Sequence, residues 1–498
     1  MTPENPMAWV TLKDLVAVAP MASLFALSMI PLLLKVFMGN REPNPFTVLV
    51  YNFIGLMVGA GLTAALFGVT YSTKATAFSN ALVVDGISVW MSYLVYFATA
   101  VALMLSYDHV ATRGKQFTEF CFLTISAAIG MLILIMANDL IVTFIGIETM
   151  SLSLYILVAM SKEQVLSKEA SFKYFVLGSF ASAIFLYGIS LMYGTSGTTY
   201  FPQLAEALPK LIETNRVFVA GLGLLILGFA FKVSIFPLHA WTPDVYQGAA
   251  TPVTALMSTA VKAATFVAFL RLFAVEGLSV STPLYYLLMW LAVLTMTVGN
   301  VAAIMQNNFK RVLAYSSVAH SGYALIGLIA AGFGSNYEGA ATSLLFYMFS
   351  YSIMTLGSFA VVALFEKHAN TSLEVNDLRG AARKYPVLGL SLTILMLSLA
   401  GIPPTLGFFG KLFIFSAAIE QDMYWLVFWG VINSAISVYY YLRPIVVMYM
   451  SEEEGSEVMA SHLFTRGAIV VSAIAIVILG ILSSPILRIV QKSVLDMI

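Results

Sequence analysis

Lys232, Lys262 and Lys411 stand inside long apolar runs, and Glu148 and His320 stand in two more. These five titratable side chains are where the sequence could do chemistry. A charge at the centre of a hydrocarbon layer costs about 2.5–3.5 kcal/mol on insertion scales. That is a large fraction of a net stability of order 10 kcal/mol. A static Glu–Lys pair that glues helices together would account for two of the five. Three lysines and one acid leave two lysines without a fixed acidic partner inside the runs. Burial disfavours the charged form of an amine, so such groups suit the loading and unloading of protons along a hydrated path. His320 is open to two readings, because a lone histidine in a span serves equally as a hydrogen-bond link to a neighbouring helix.

Depth follows from the helical rise of ~1.5 Å per residue. Glu148 lies nine residues into its run, roughly 14 Å deep. Lys262 lies ten residues beyond Pro252, roughly 15 Å deep, and His320 roughly 16 Å. These are midplane positions for a ~30 Å core, beyond the reach of snorkelling.

Two runs look interrupted. Lys232 precedes Phe236-Pro237-Leu238-His239-Ala240-Trp241-Thr242-Pro243-Asp244, and Lys411 follows Gly401-Ile402-Pro403-Pro404-Thr405. Pro237, Pro243, Pro403 and Pro404 each remove a backbone donor and disrupt the preceding turn. Carbonyls freed at membrane depth are tolerated only inside protein or beside a wet cavity. The negative end of a half-helix favours a nearby lysine.

The elements that must position these residues follow from composition. Of 498 residues, 60% are hydrophobic and 10% charged, against about 25% charged in a soluble domain. The chain is predicted to be an all-α integral membrane protein with about fourteen spans. They fall near 15–37, 46–68, 86–106, 117–137, 139–160, 169–193, 217–238, 252–274, 283–305, 309–332, 339–365, 386–419, 423–447 and 465–488. The first run, Leu15–Val36, is too long for a signal peptide and is read as a retained span. The two breaks lie five spans apart. Residues 117–274 (spans 4–8) and 283–447 (spans 9–13) are therefore expected to be two five-helix repeats. They would be inverted, because an odd number of spans reverses orientation. Residues 1–116 form a three-span N-terminal segment, and 465–498 a C-terminal span.

Fifteen of the twenty-five lysines and arginines fall in connections after odd-numbered spans, among them Lys310, and seven on the other side, among them Arg271. The positive-inside rule then puts both termini outside. The three left over are the lysines inside spans. Glu119 and Asp139 lie near span ends, and Glu452–Glu454 read as a solvated loop.

A net charge of zero points to no nucleic-acid partner, and a single cysteine, Cys121, cannot hold a four-thiolate iron–sulfur cluster. Gly221 and Gly223 sit in an apolar run and read as helix packing, not as a dinucleotide fingerprint. No cofactor and no metal site is expected in the chain.

The run Phe231-Lys232 through Phe236-Pro237-Leu238-His239-Ala240-Trp241-Thr242-Pro243-Asp244-Val245-Tyr246-Gln247-Gly248 to Pro252-Val253-Thr254-Ala255 carries a family resemblance. It resembles the antiporter-like membrane subunits of proton-pumping NADH-quinone oxidoreductase, respiratory complex I. So do Leu313-Ala314-Tyr315-Ser316-Ser317-Val318-Ala319-His320-Ser321-Gly322-Tyr323 and Ala400-Gly401-Ile402-Pro403-Pro404-Thr405. The resemblance covers nearly the whole chain. Among the sister branches, the Trp-Thr-Pro-Asp-Val-Tyr form is similar to subunit N. The chain also stops soon after its fourteenth span, and it has Lys411 where subunit M usually has glutamate.

The resemblance implies that Glu148 pairs with Lys232 as a coupling element, that Lys262 is the central proton carrier, and that Lys411 connects to the opposite face. It implies a bacterial inner-membrane location among other membrane-arm subunits. NADH, FMN, iron–sulfur clusters and quinone would belong to those partners. The rival readings are a stand-alone or modular cation/proton antiporter and a purely structural subunit. A Na⁺ antiporter wants a carboxylate cluster, whereas this chain has one deep acid, and a structural subunit leaves three buried lysines unexplained.

Overall fold

The computed structural model describes residues 10–70, 75–110, 116–161, 165–273, 283–366, 373–451 and 463–495. Glu452–Glu454 and five of the charges in the orientation count (Lys74, Arg113, Lys115, Lys162 and Lys367) lie outside the described residues. The chain opens with α1 (Leu12–Phe37), α2 (Pro45–Thr70), α3 (Gly86–His109), α4 (Phe117–Met136), α5 (Leu140–Ala159) and α6 (Val165–Ser196). Next come α7 (Phe201–Thr214), α8 (Arg216–Lys232), α9 (Trp241–Gly248), α10 (Thr251–Ser258) and α11 (Ala260–Leu272). Then follow α12 (Pro283–Ile304), α13 (Phe309–Phe333), α14 (Tyr337–Phe365), α15 (Ala381–Lys384), α16 (Pro386–Ala400) and α17 (Leu406–Ile419). The chain closes with α18 (Tyr424–Met450), α19 (Leu463–Ile481) and α20 (Ser483–Leu495).

Twelve of the described helices, with α10–α11 taken as one, are long and apolar enough to cross a membrane, or thirteen if α7 and α8 count as one bent span. The expected spans at 217–238 and 386–419 are instead built from shorter pieces, α8 alone and α16 with α17. The connection expected at 194–216 is largely helical. α7 buries Phe201, Leu204 and Leu208 along one stripe and turns 118° from α8. A small antiparallel hairpin, β1 (Ala75–Ala77) and β2 (Leu82–Val84), pairs Ala75 with Val84.

Glycines set the closest helix approaches. A Cβ on Gly130 of α4 would lie 2.4 Å from the Met150 nitrogen on α5. A Cβ on Gly299 of α12 would lie 2.6 Å from the Ala319 nitrogen on α13. Gly221 packs on the Gly188 carbonyl as expected, whereas Gly223 meets nothing within 4 Å and has no packing role.

Two half-helices end in the same way. In α8 the amides of Ser234 and Ile235 turn back to the carbonyls of Phe231 and Ala230, with Ser234 at φ 64°. In α16 the amides of Gly401 and Ile402 return to Ser398 and Leu397, with Gly401 at φ 86°. Both are Schellman closures, which satisfy two terminal carbonyls and leave the last ones free. The first break therefore begins at Lys232, ahead of Pro237. Pro243 does not break a helix. It lies in the first turn of α9, where its missing N–H is no loss.

A third interruption was not expected. Thr259 (φ −117°, ψ −87°) separates α10 from α11, one turn before Lys262. Every residue from Thr251 to Phe273 is buried.

Candidate functional site

Lys232 is the last residue of α8 and is 3% exposed. Its Nζ donates to Ser151 Oγ at 2.7 Å and to Tyr155 OH at 3.4 Å, both on α5. Gly178 on α6 makes room for that tyrosine, since a Cβ there would collide with its hydroxyl. Glu148 lies one turn before Ser151 on α5, is half-buried, and accepts a hydrogen bond from Ser182 of α6. Glu148 and Lys232 form no direct ion pair. Residues three and seven positions along α5 from Glu148 hold the amine instead.

Lys262 is 1% exposed. Its Nζ donates to the Ser317 carbonyl at 2.7 Å and to Ser321 Oγ at 2.9 Å, on successive turns of α13. Tyr351 of α14 donates to Ser317 Oγ at 2.9 Å. Among the described residues no carboxylate forms an ion pair with this amine.

His320, one residue before Ser321, has both ring nitrogens engaged. Nδ1 lies 2.6 Å from Tyr347 OH and Nε2 3.0 Å from Tyr441 OH. A neutral imidazole carries one donor and one acceptor, and a hydroxyl can serve as either. Tyr441 continues to Ser316.

Lys411 is 5% exposed, on α17. Its Nζ donates to the carbonyls of Leu399 (3.1 Å) and Ala400 (3.0 Å) and to Ser434 Oγ (3.0 Å). Those carbonyls are the ones the Schellman closure of α16 leaves free. Beneath the amine lies the Tyr323 ring, 5.1 Å from Nζ, and that ring also meets His320 edge-on at 5.8 Å. The structure thus joins Lys262, His320 and Lys411 through α13, and joins Glu148 to Lys232 through α5.

Sequence reasoning did not name the hydroxyls that do this holding: Ser151, Tyr155, Ser317, Ser321, Tyr347 and Tyr441. The four-residue spacing of Ser151 with Tyr155 and of Ser317 with Ser321 was a usable signal. It was diluted by serines that only bond their own helix, such as Ser350 to Phe346 and Ser358 to Met354.

Some charges assigned to connections are buried too. Arg271 makes a two-pronged bond to Asp85, both contacts 2.7 Å, and its Nε reaches the Ile135 carbonyl at 2.9 Å. Lys310 pairs with Glu366 at 3.0 Å. Outside the spans, Asp244 on α9 meets Lys173 at 2.8 Å and Arg311 at 2.7 Å. Burial alone would raise its carboxyl, but the two cations outweigh that and hold it below the usual carboxylate range. Among the described residues, no three His, Cys, Asp or Glu side chains gather as a metal site would require.

The family described as NADH:quinone oxidoreductase/Mrp antiporter, transmembrane region, matches residues 137–437, more than half of the chain and all five titratable positions. NADH-quinone oxidoreductase subunit N of Bdellovibrio bacteriovorus is 50% identical over 486 residues, covering 97% of this chain and 99% of the relative. The chain belongs to the subunit N family. A chain of respiratory complex I from Thermus thermophilus, solved with bound aureothin, superposes with a TM-score of 0.80 at 32% identity. That match covers 95% of this chain and 100% of the other. A chain of the Mrp complex from Dietzia shares the fold alone, with a TM-score of 0.82 at 19% identity, over 98% of this chain and 97% of the other.

Proposed function

We propose that this chain works as a membrane-arm subunit of a proton-pumping NADH:quinone oxidoreductase, carrying protons along Glu148, Lys232, Lys262, His320 and Lys411. The observation that carries the reading is the setting of Lys262. It is an amine at 1% exposure, held among the described residues by a carbonyl and a hydroxyl. A permanently charged group there would lack a counter-ion, whereas a group that takes and gives a proton fits neutral, hydrogen-bonding surroundings.

In this reading Glu148 supports the protonated form of Lys232 when it approaches, and withdraws that support when it turns away. The proton passes to Lys262, then by His320 and its tyrosines to Lys411, which releases it on the other face. NADH oxidation, FMN, the iron–sulfur clusters and quinone reduction lie in partner subunits of the membrane-bound complex. The chain sits in a bacterial inner membrane with both termini outside. The interrupted pieces α8 and α16–α17 complete fourteen crossings, and 117–274 and 283–447 are the two inverted repeats. Supporting the repeats, the glycine-tight pairs α4–α5 and α12–α13 hold corresponding places, as do the two Schellman breaks.

The test is the proton-to-electron ratio of the assembled complex in sealed vesicles. Lys232→Ala should lower that ratio while the complex still assembles. A wild-type ratio in that variant would overturn the scheme.

A further inference from the structure

Tyr246 on α9 is completely buried, and among the described residues its hydroxyl has no partner of good hydrogen-bond geometry, Ser317 being the polar group closest to serving as one. It stands beside Ser317 Oγ and Tyr351. Thr355, one turn beyond Tyr351 on α14, is buried beside that tyrosine, and its hydroxyl likewise has no partner of good hydrogen-bond geometry among the described residues. Two incompletely satisfied hydroxyls thus flank the Tyr351–Ser317 hydrogen bond, and the carbonyl of that same serine receives Lys262. Buried polar groups are almost always satisfied, because an unsatisfied one is costly to bury. Four hydroxyls around one point provide the two to four partners that a buried water needs.

α9 is also the element lying between the two lysine settings. Trp241 donates to the carbonyl of Phe231, the residue before Lys232. Its ring stacks on Tyr174, which abuts Tyr155, an acceptor of the Lys232 ammonium. Tyr246 meets Trp241 on the same short helix and reaches toward Lys262 from there. Neither Trp241 nor Phe359, the other ring against Tyr246, has a proton to pass in this direction. Of the other α9 groups that can give and take one, Thr242 is engaged with Ser234 and Asp244 with Lys173 and Arg311, which leaves the Tyr246 hydroxyl beside Ser317.

We propose that Tyr246 is a proton-relay residue for Lys262, acting through a water site enclosed with Ser317, Tyr351 and Thr355. The inference rests on the proton-carrying reading above and adds the group that links the α8–α9 break to the central lysine. In the step, the Tyr246 oxygen accepts a proton from the break side as its own O–H proton passes to the enclosed water. That water gives a proton to the neutral Lys262 amine. The hydroxyl and the water are regenerated, one proton has moved, and no electron is transferred.

The physical setting makes the test sharp. Since the Tyr246 hydroxyl has no well-formed hydrogen bond among the described residues, Tyr246→Phe disturbs little besides the hydroxyl, and a packing role for the ring is preserved. The complete complex carrying Tyr246→Phe, Thr355→Val, Thr355→Ser or Lys262→Met is measured in sealed vesicles for protons moved per electron. Tyr246→Phe and Thr355→Val should each lower the ratio by about the fraction that Lys262→Met does. Thr355→Ser, which keeps the hydroxyl, should pump as wild type. Combining Tyr246→Phe with Thr355→Val should add no further loss. Wild-type pumping in both Tyr246→Phe and Thr355→Val, with a lowered ratio in Lys262→Met, would overturn this inference alone. Wild-type pumping in Lys262→Met would overturn the proton-carrying reading and this inference with it.

Discussion

The Lys411 ammonium lies 3.0 Å from the carbonyl oxygen of Ala400, the residue at which α16 stops. A side chain from the second half of a broken span therefore closes the first half. The left-handed turn at Gly401 makes this possible, because it satisfies Leu397 and Ser398 while leaving Leu399 and Ala400 without backbone partners. At membrane depth such carbonyls need a donor, and the negative helix end favours a cation.

Gly401 is accordingly a sensitive position. A non-glycine residue in the left-handed region costs roughly 1–2 kcal/mol, and a Cβ there would press to 3.0 Å from Lys411 Cδ. Gly401→Ala should lower the melting temperature of the assembled complex and its proton-to-electron ratio together. An unchanged ratio would separate the turn from the relay.

Lys262→Met keeps the length of the side chain and removes its proton. Replacing a buried charge by a well-packed apolar residue is often neutral for stability, so the subunit should accumulate normally. Proton flux through it should fall roughly 10²-fold or more, the scale of a lost acid–base group. Quantifying the subunit in membranes beside vesicle pumping checks both halves.

The Arg271–Asp85 pair is a structural counterpart, with side chains 3% and 0% exposed. Removing one partner of such a pair costs about 3–5 kcal/mol. Asp85→Asn should therefore reduce assembly strongly, and the double change Arg271→Met with Asp85→Leu should recover much of it. Thermal unfolding of the purified complex reads the difference.

Asp244 carries a pH signature. Its carboxyl is held below the usual 3.8 because Lys173 and Arg311 outweigh the opposing effect of burial. A depressed carboxyl contributes stability that is fully present above its unfolded value, about 3.9, and is lost as pH falls through the folded one. The melting-temperature gap between wild type and Asp244→Asn should be constant from about pH 7 to 5 and close below about pH 4.

Much of this arrangement was legible from residue types. A lysine in an apolar run cannot be hidden by context, so Lys232, Lys262 and Lys411 announced themselves, and Pro403-Pro404 marked the second break. Thr259 was not legible, since Ser258-Thr259-Ala260 holds neither proline nor glycine and the kink comes from tertiary packing. The partners of each lysine were not legible either. Serines and threonines satisfy themselves on their own helix or reach across to another, and only the rotation of each helix decides which. Arg271 and Lys310 were misplaced for a related reason. Hydropathy sees the end of a span, but not that Asp85 and Glu366 wait there under cover.

The stretch from Thr251 to Phe273 offers no side to lipid, and the groups that receive Lys262 lie 55 and 59 residues further along the chain. During biogenesis this segment emerges before the groups that will hold its amine have been made. Its final setting must then await the arrival of α13 and α14, so the segment that carries Lys262 is also one that settles late.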